Sequence, residues 1–395
     1  MVRNFKYRLY PTPKQRTLLN QTLTTCRYLY NSALNHRITE YKDNKHSVTY
    51  KEQANYLSGN KNDYQVNVHS QVLQSTLKRL DTSFTNFFRR IKEKKGKAGF
   101  PRFKGDNRYH SFCYPQSGFK LSNDGDRITL SKIGVVKLIY HRPVVGKIKT
   151  CTVIRDVDQW YVILCCESPD TPFVQSDKPA VGIDLGITTL ASLSNGVEYT
   201  NPRHLKKAEQ KLHQAQRILS KRVKGSENRY KQRVVVAKQH RRIRNQRDDF
   251  LHKLSRELVT TYGTIVFEDL KVKNMLKNHK LAKHISDCSW NKLVQYTTYK
   301  AESAGVTVVL VNPKNTSQMC SNCGQIVKKT LADRVHSCSC GVVLDRDYNA
   351  SVNILKRGTV GTTGSYACGD NTSTLALLEQ VISVKQETQP SLVVG

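Results

Sequence analysis

Acidic side chains stand at the ends of apolar runs at three distant places in the sequence. Asp184 ends "AVGID", Glu268 and Asp269 end "TIVFED", and Asp345 and Asp347 begin "DRDYNASVNIL". A carboxylate at the edge of a buried strand costs free energy unless a cation or a donor pairs with it. Two divalent cations about 4 Å apart would supply that pairing and would clamp both reacting oxygens of a phosphodiester. Mg²⁺ suits such a site because it binds carboxylates and substrate oxygens and keeps several waters.

Each acid taken alone also has an ordinary structural explanation. An acid in "GIDLG" is more often a strand-to-turn residue than a catalyst, and Glu268 could cap a helix or form an ion pair. The chain order favours catalysis, because an Asp on a first strand precedes a Glu on a later strand and an Asp at a final helix start. That order predicts an α/β domain with a ribonuclease H-like fold.

A possible metal site lies directly before the last acids. "CSNCG", which begins at Cys320, has the spacing of a zinc knuckle, whose turn directs backbone N–H groups at the thiolates. The second pair, Cys338 and Cys340, is one residue shorter than usual, and in an extended chain the two side chains would point apart. A bend is therefore needed, or a substitute ligand such as His336, with Cys340 the better ligand of the pair. We predict one structural Zn²⁺ bound by Cys320, Cys323, Cys338 and Cys340; the alternative is a degenerate knuckle that folds by packing alone.

The overall charge predicts a polyanionic partner. The 395 residues include 64 Lys and Arg against 31 Asp and Glu, a formal charge of +33, and neutralised phosphates release counterions. The length allows two or three domains. The sequence contains no apolar run of about 18 residues and no apolar signal-peptide core, so we expect no membrane partner. The eleven cysteines, four of them clustered, favour an intracellular metal site over a disulfide framework.

The N-terminal part predicts a strand and two helices. Apolar residues alternate over residues 3–9, as in a half-buried strand. Thr12 as N-cap, Pro13 at the first position and Gln15 in a capping box predict the start of the first helix. The second helix is predicted over residues 70–91. Its apolar stripe comprises Leu73, Leu77, Leu80, Phe84, Phe88 and Ile91.

Later segments predict a small barrel, a pair of strands and a basic helical region. Alternating segments over residues 128–166 predict a small antiparallel barrel, and "SPDTPFVQSDKP" predicts a linker. Residues 181–199 predict two strands. Residues 203–247, broken near Gly225, predict a helical region with sixteen Lys and Arg against two Glu. Such an excess of positive charge favours contact with phosphates over a helix face that only contacts water.

These motifs together resemble the TnpB family, the OrfB-type proteins encoded by bacterial and archaeal insertion sequences. The resemblance lies in "FKYRLYPTPKQRTLLNQTLTTCRYLYNSALN", "GFPRFKG", "VGIDLGITTLASLSNG", "IVFEDLKVKNM", "YKAESAGVTVVLVNPKNTSQMCSNCG" and "DRDYNASVNIL", in order and spacing. It covers residues 3–357.

The resemblance implies an RNA-guided DNA endonuclease related to type V CRISPR effectors. Its RuvC-type centre would fall on Asp184, Glu268 and Asp347, with two Mg²⁺ ions; Asp347 is chosen over Asp345 because it opens "DYNA". The implied partners are a guide RNA from the mobile element and double-stranded target DNA, cut beside a short flanking motif. The implied location is the bacterial or archaeal cytoplasm, at the nucleoid. The alternatives are a guide-dependent DNA-binding repressor that does not cut and a transposase accessory protein.

The resemblance also implies a domain organisation. The predicted parts are a wedge-like β-barrel (1–10 and 105–175), a helical recognition lobe (11–104), a RuvC-like nuclease (178–316 and 342–358), a zinc-knuckle insert for target nucleic acid (317–341) and a flexible tail (359–395). We predict nucleic-acid contacts for side chains with base-reading or phosphate-binding chemistry: Gln71, Gln74, Lys78, Arg102, Lys104, Arg241 and Arg242.

Overall fold

The computed structural model describes residues 2–94, 96, 98–106, 108–168, 177–330 and 332–359. The chain divides into two compact units, one of residues 1–170 with 214–239 and the other of residues 171–213 with 240–395. The predicted tail from residue 360 onward and most of the predicted linker at residues 168–179 lie outside the described residues.

The first unit combines helices with an antiparallel sheet. Its elements are β1 (Val2–Tyr10), α1 (Pro13–Asn44), α2 (Tyr50–Gly59), α3 (Asp63–Val66), α4 (Ser70–Lys92), β2 (Ser111–Tyr114), β3 (Phe119–Leu121), β4 (Arg127–Leu130), β5 (Gly134–Ile139), β6 (Lys147–Asp156) and β7 (Gln159–Glu167). The seven strands pair in the order β2-β6-β7-β1-β5-β4-β3, with β2 and β3 at the edges. The predicted antiparallel pairing is confirmed, whereas closure into a barrel stays a prediction.

The start of the chain folds as its sequence predicts. Phe5, Tyr7 and Leu9 alternate into the core on β1. Thr12 caps α1: its hydroxyl accepts the backbone N–H of Gln15, and the Gln15 side chain accepts the N–H of Thr12. The helices and the sheet, which the sequence assigned to separate parts, share one hydrophobic core.

The prediction for α4 is correct in its bounds and wrong at the end of its apolar stripe. Leu73, Leu77 and Leu80 are buried, but Phe88 and Ile91 are 58% and 50% exposed. The last turns of the helix extend beyond the core, so that periodicity alone overstated the buried face. The Phe88 ring instead stacks on that of Phe84 and lies tilted against that of Phe87.

The second unit is built on a five-stranded mixed sheet. Its strands and helices, including the two helices that both units share, are β8 (Ala180–Asp184), β9 (Thr189–Leu193), β10 (Glu198–Thr200), α5 (His204–Ser220), α6 (Glu227–Thr261), β11 (Thr264–Glu268), α7 (Val272–Met275), α8 (Ala282–Cys288), α9 (Trp290–Ala304), β12 (Thr307–Val311), β13 (Val335–Ser337), β14 (Val343–Asp345) and α10 (Arg346–Thr359). The sheet order is β10-β9-β8-β11-β12.

Within this sheet, β8, β11 and β12 are parallel and β9 and β10 return antiparallel to them. The sequence predicted two strands over residues 181–199, and the structure adds β10 as a third. Gly305 ends α9 in the left-handed conformation, with φ of 67°. The predicted α/β sheet, with its last acids at the start of a final helix, is therefore present.

The two faces of the sheet pack against different helices. Val181, Ile183, Ile265 and Phe267 belong to the core that also contains side chains of α6 and α9. Val266 and Val311 belong to a second cluster with Ile354 of α10. Because side chains alternate along a strand, residues 182, 184, 266 and 268 face α10.

Candidate active site and metal centre

Asp184 and Glu268 lie at the same end of two neighbouring strands. In the parallel pairing of β8 with β11, Ile183 lies opposite Phe267, so the next residue of each strand is one of the two acids. Alternation places both carboxylates on the side of the sheet that α10 covers. The Glu268 side chain is buried and that of Asp184 is partly buried.

A glycine brings α10 close enough to add the third acid. A Cβ atom on Gly182 would lie 2.2 Å from the Ser351 carbonyl oxygen and 2.5 Å from the Leu355 nitrogen. Only a residue without a side chain therefore allows this contact between β8 and α10. Asp347 lies in the first turn of that helix, near enough to Asp184 at the end of β8 for its charge to raise the pKa of that carboxyl.

Asp345 has a different role from Asp347. Its carboxylate accepts the backbone N–H groups of Asp347 at 2.8 Å and Tyr348 at 3.1 Å, as an N-cap does. This cap starts α10 directly after β14 and thereby fixes the position of Asp347 in the first turn.

The charges of Glu268 and Asp347 act on the carboxylate of Asp184. Burial, the largest cause, and the negative charges of Glu268 and Asp347 together raise the pKa of Asp184 to about 8, against the opposing charge of Arg346. Burial also raises the pKa of Glu268, whereas the hydroxyl of Thr316, which donates to its carboxylate, lowers it. Two acids whose charges raise the pKa of Asp184 lie near it, and a bound cation would offset that repulsion.

Two basic side chains contact the carboxylate of Asp347. Arg346 Nε donates to Asp347 Oδ1 at 3.1 Å, and Arg334 Nη1 lies 3.9 Å from Oδ2. Asp269, beside Glu268, is partly exposed and pairs with Lys271. Of the predicted acids, the structure therefore brings Asp184, Glu268 and Asp347 together and leaves Asp269 at the surface.

The chemistry of this acid set fits divalent cations. Its ligand atoms are all carboxylate oxygens, the donors that Mg²⁺ prefers. Burial and, after it, the neighbouring negative charges disfavour the ionised form of Asp184, and a bound cation would stabilise that form.

The four predicted cysteines form the metal-ligand cluster of the described residues. The sulfur atoms of Cys320, Cys323, Cys338 and Cys340 all lie within 4.8 Å of one another. Cys320 and Cys340 are 3.7 Å apart, and Cys323 and Cys338 are 3.6 Å apart. Four thiolates about 2.3 Å from a tetrahedral Zn²⁺ would be separated by about 3.8 Å.

The short C-x-C pair meets the cluster because the chain turns between its two cysteines. Cys338 follows β13, and the turn closes with the Gly341 N–H donating to the Cys338 carbonyl at 3.0 Å. Gly341 adopts a φ of +87°, which the reversal requires. The sequence left His336 open as a substitute ligand, but it is not one of the four clustered ligands: its buried ring contacts the Cys320 thiol, and its Nδ1 accepts from Lys329.

Backbone donors prepare Cys320 to be a thiolate. The pKa of the Cys320 thiol is lowered to about 5, chiefly by the backbone N–H of Cys323, with the N–H of Asn322 and the side chains of His336 and Cys340 adding to the effect. The C-x-x-C-G turn directs such backbone donors at the sulfur, and they favour a metal-binding thiolate over a thiol.

Asparagines on α10 attach the cysteine segment to the helix that carries Asp347. Asn349 is fully buried; its oxygen accepts the Ser321 N–H at 2.9 Å, and its nitrogen donates to the Met319 carbonyl at 2.8 Å. Asn353, one turn later, donates to the carbonyls of Thr316 and Met319. This contact was not predicted from the sequence, although the i, i+4 asparagines of "DYNASVN" are unusual on a buried helix face.

The predicted base-reading side chains of α4 have different surroundings. Gln71 is already engaged, since its oxygen accepts the N–H and the hydroxyl of Ser117 at 2.9 and 3.0 Å. Gln74 is exposed. Lys78 is exposed, forms an ion pair with Asp81 at 3.0 Å and lies over the Tyr50 ring. Their contact with nucleic acid stays a prediction.

The remaining predicted contacts are also spread over different environments. Arg102 and Arg242 are exposed, and Lys104 lies with its ammonium 5.3 Å from the Tyr30 ring centroid. Arg241 is only 9% exposed. Arg241 is therefore less available to a phosphate than its neighbour Arg242, while the roles of all four stay predictions.

No helix within the described residues has the length and apolarity needed to cross a membrane.

Profiles of three protein families match the chain. Residues 163–279 match a family described as "Probable transposase" (OrfB_IS605), and residues 290–354 match the "Cas12f1-like, TNB domain". Residues 1–46 match a "Helix-turn-helix domain", although the structure forms β1 and one 32-residue helix there.

Relatives of similar length match nearly the whole chain. A "Putative RNA-guided DNA endonuclease" of Streptomyces pristinaespiralis is 38% identical, over 93% of this chain and 91% of the relative. The "Putative RNA-guided DNA endonuclease InsQ" of Escherichia coli K12 is 32% identical, over 93% of this chain and 94% of the relative.

A solved structure supports the fold. It is titled "Cryo-EM structure of the Cas12f1-sgRNA-target DNA complex" and matches with a TM-score of 0.52 and 14% identity. The match covers 90% of this chain and 98% of the other.

Proposed function

The chain belongs to the TnpB family of insertion-sequence proteins, and from that premise we propose that it is an RNA-guided DNA endonuclease. A guide RNA from the mobile element pairs with one strand of the target, and the protein reads only a short flanking motif. The names of both full-length relatives support this activity, and the carboxylate cluster supplies a site for it.

The observation that carries the proposal is the convergence of three acids from distant parts of the chain. Asp184, Glu268 and Asp347 would hold two Mg²⁺ ions, which when bound would activate a water and stabilise charge on the scissile phosphate. In the hydrolysis, a bond forms from the water oxygen to phosphorus and one P–O ester bond breaks. Thr316 keeps the Glu268 carboxylate in place by donating to it.

The cysteine cluster would hold one structural Zn²⁺. A closed Cys₄ site fixes a short segment that has little core of its own. Through Asn349 and Asn353 that segment is bonded to α10, so that the zinc site would stabilise the helix start where Asp347 lies.

The basic charge of the chain suits the two nucleic acids. A formal charge of +33 favours binding of phosphates at α5 and α6 and at the loop that carries Arg102 and Lys104. We assign flanking-motif reading to the first unit, in the predicted wedge-like barrel and helical lobe, with Gln74 and Lys78 as the exposed candidates on α4.

Cleavage by purified ribonucleoprotein tests this function. The protein, copurified with its RNA, should linearise a plasmid that carries the matching target when Mg²⁺ is added. Asp184→Ala should abolish cutting and keep RNA and target binding, while Asp269→Ala, a matched change of the partly exposed neighbouring acid, should cut normally. Cutting by Asp184→Ala at the wild-type rate would show that the acids are assigned wrongly.

A role in transposition is the second candidate, because one matching family is described as a transposase. Strand transfer would proceed without a guide RNA, so ribonuclease treatment before the assay separates the two functions. Loss of cutting after that treatment supports the nuclease, and retention of DNA rearrangement supports the transposase. Specific target binding without any cutting would instead indicate a guide-dependent repressor.

A further inference from the structure

An open cavity of about 260 Å³ lies beside the acidic site in the second unit. Its lining comprises Ser192, Leu193, Gly196, Glu198 and Tyr348. The volume is below the roughly 300 Å³ at which pockets for drug-sized ligands begin, which suits a single planar ring. None of these five residues is among the three acids, the cysteines or the predicted nucleic-acid contacts.

Strand pairing places the cavity on the catalytic face of the sheet. Asp184 on β8 lies opposite Ser192 on β9, and Ser192 lies opposite Glu198 on β10. Residues that are directly opposite in antiparallel strands share a face, so the three side chains form one row. With strands about 4.8 Å apart, Glu198 lies roughly 10 Å from Asp184 along that row.

The residue of α10 that lines the cavity is also a neighbour of one of the acids. Tyr348 follows Asp347 directly in the first turn of α10. The Tyr348 backbone is fixed by the Asp345 cap, and within the described part of the chain its hydroxyl has no hydrogen-bond partner. An aromatic ring held next to a nuclease acid can stack on a base of the strand being cut.

Glu198 gives the cavity a chemical preference. The side chain is exposed, and among the described residues none donates to its carboxylate. An ionised carboxylate only accepts hydrogen bonds, so it pairs with bases that present amino donors. Guanine matches it best, because its N1–H and N2–H donate in parallel, whereas thymine presents an N3–H between two acceptor oxygens that repel a carboxylate.

We propose that this cavity binds the base next to the scissile phosphate, stacked on Tyr348 and paired with Glu198, and that it favours guanine and other amino-bearing bases over thymine. The inference rests on the proposed nuclease function and adds a sequence preference at the cut itself. It concerns a base that is already unpaired, because the edge that Glu198 reads is covered in a duplex.

Targets that differ only in the base at the cut region test the inference. Wild-type ribonucleoprotein is incubated with a set of targets that carry G, C, A or T there, and the new ends are sequenced. We expect cutting next to guanine to exceed cutting next to thymine by at least about fivefold, as for the loss of one good base contact. Glu198→Gln, whose amide also donates, should reduce the ratio toward one, and Tyr348→Leu should lower cutting at every base.

The control is Val197→Ala, which changes an exposed neighbour in the same hairpin that does not line the cavity, and it should keep the wild-type ratio. Because each ratio is measured within one variant, differences in stability cancel. Wild-type cutting without base preference, or an unchanged ratio in Glu198→Gln, overturns the cavity assignment and leaves the nuclease in place. Absence of wild-type cutting of any target overturns the nuclease proposal and this one with it.

Discussion

Replacing Gly182 with alanine should move Asp347 away from Asp184 and Glu268 without substituting any of the three acids. The new Cβ would lie 2.2 Å from the Ser351 carbonyl oxygen, whereas ordinary contacts begin at 3.4 Å. The clash is with backbone, so no side chain can move aside, and α10 must retreat by about 1 Å. Such overpacking costs about 1–3 kcal/mol of stability. Because Asp347 moves with α10, a displacement of about 1 Å should also lower the cutting rate by about a hundredfold.

The assay compares single-turnover plasmid linearisation with the midpoint of thermal unfolding. Gly182→Ala should lose far more activity than stability and should retain guide RNA binding, which excludes global unfolding. Gly59→Ala is the matched control, since a Cβ at that position meets no atom within 4 Å. If Gly182→Ala cuts DNA at the wild-type rate with an unchanged unfolding midpoint, α10 does not pack on β8 as closely as described, and the positioning argument for Asp347 is wrong.

Further predictions concern the acids and the cysteine segment. The pKa of Asp184 is raised to about 8, so without Mg²⁺ the folded state loses stability as the pH rises from about 4 to 8, by at most about 6 kcal/mol. Asp184→Asn should flatten that dependence in urea denaturation at several pH values; a dependence as steep as wild type would refute the coupling. Cys340→Ser should reduce bound zinc and lower the unfolding midpoint, measured by metal analysis and calorimetry, whereas Ser339→Ala, a change between the two cysteines, should retain zinc. Asn349→Ala leaves the buried Ser321 N–H unpaired and removes one of the two amides that donate to the Met319 carbonyl, and it should cost about 1–3 kcal/mol in denaturation; an unchanged midpoint would contradict the attachment of the cysteine segment to α10.

Local sequence patterns predicted those helices and strands that depend on residues close together in the chain. The Thr12 capping box starts α1 because its donors and acceptors are within four residues of one another. Alternation along β1 and the apolar ends of β8 and β11 are read directly from the order of side chains. The same reasoning failed for Phe88 and Ile91, because helical periodicity does not show where the core ends.

Local sequence patterns also could not decide whether Cys338 and Cys340 belong to one metal site. The spacing of Cys338 and Cys340 left open whether both could reach one ion, because an extended chain separates their side chains. The hairpin turn at Gly341 decides it by reversing the chain between them. Likewise, nothing in the spacing of Asn349 indicated that its amide binds the cysteine loop 28 residues earlier.

The sequence by itself determined which residue types are available: three acids at the ends of apolar segments, four cysteines in two close pairs and an excess of positive charge. The tertiary structure decided which of them meet. Asp184 and Glu268 are neighbours because β8 and β11 pair in parallel register, and Asp347 joins them because Gly182 lets a helix approach the sheet. Pairing register and close packing depend on residues far apart in the chain, so no local pattern contains them.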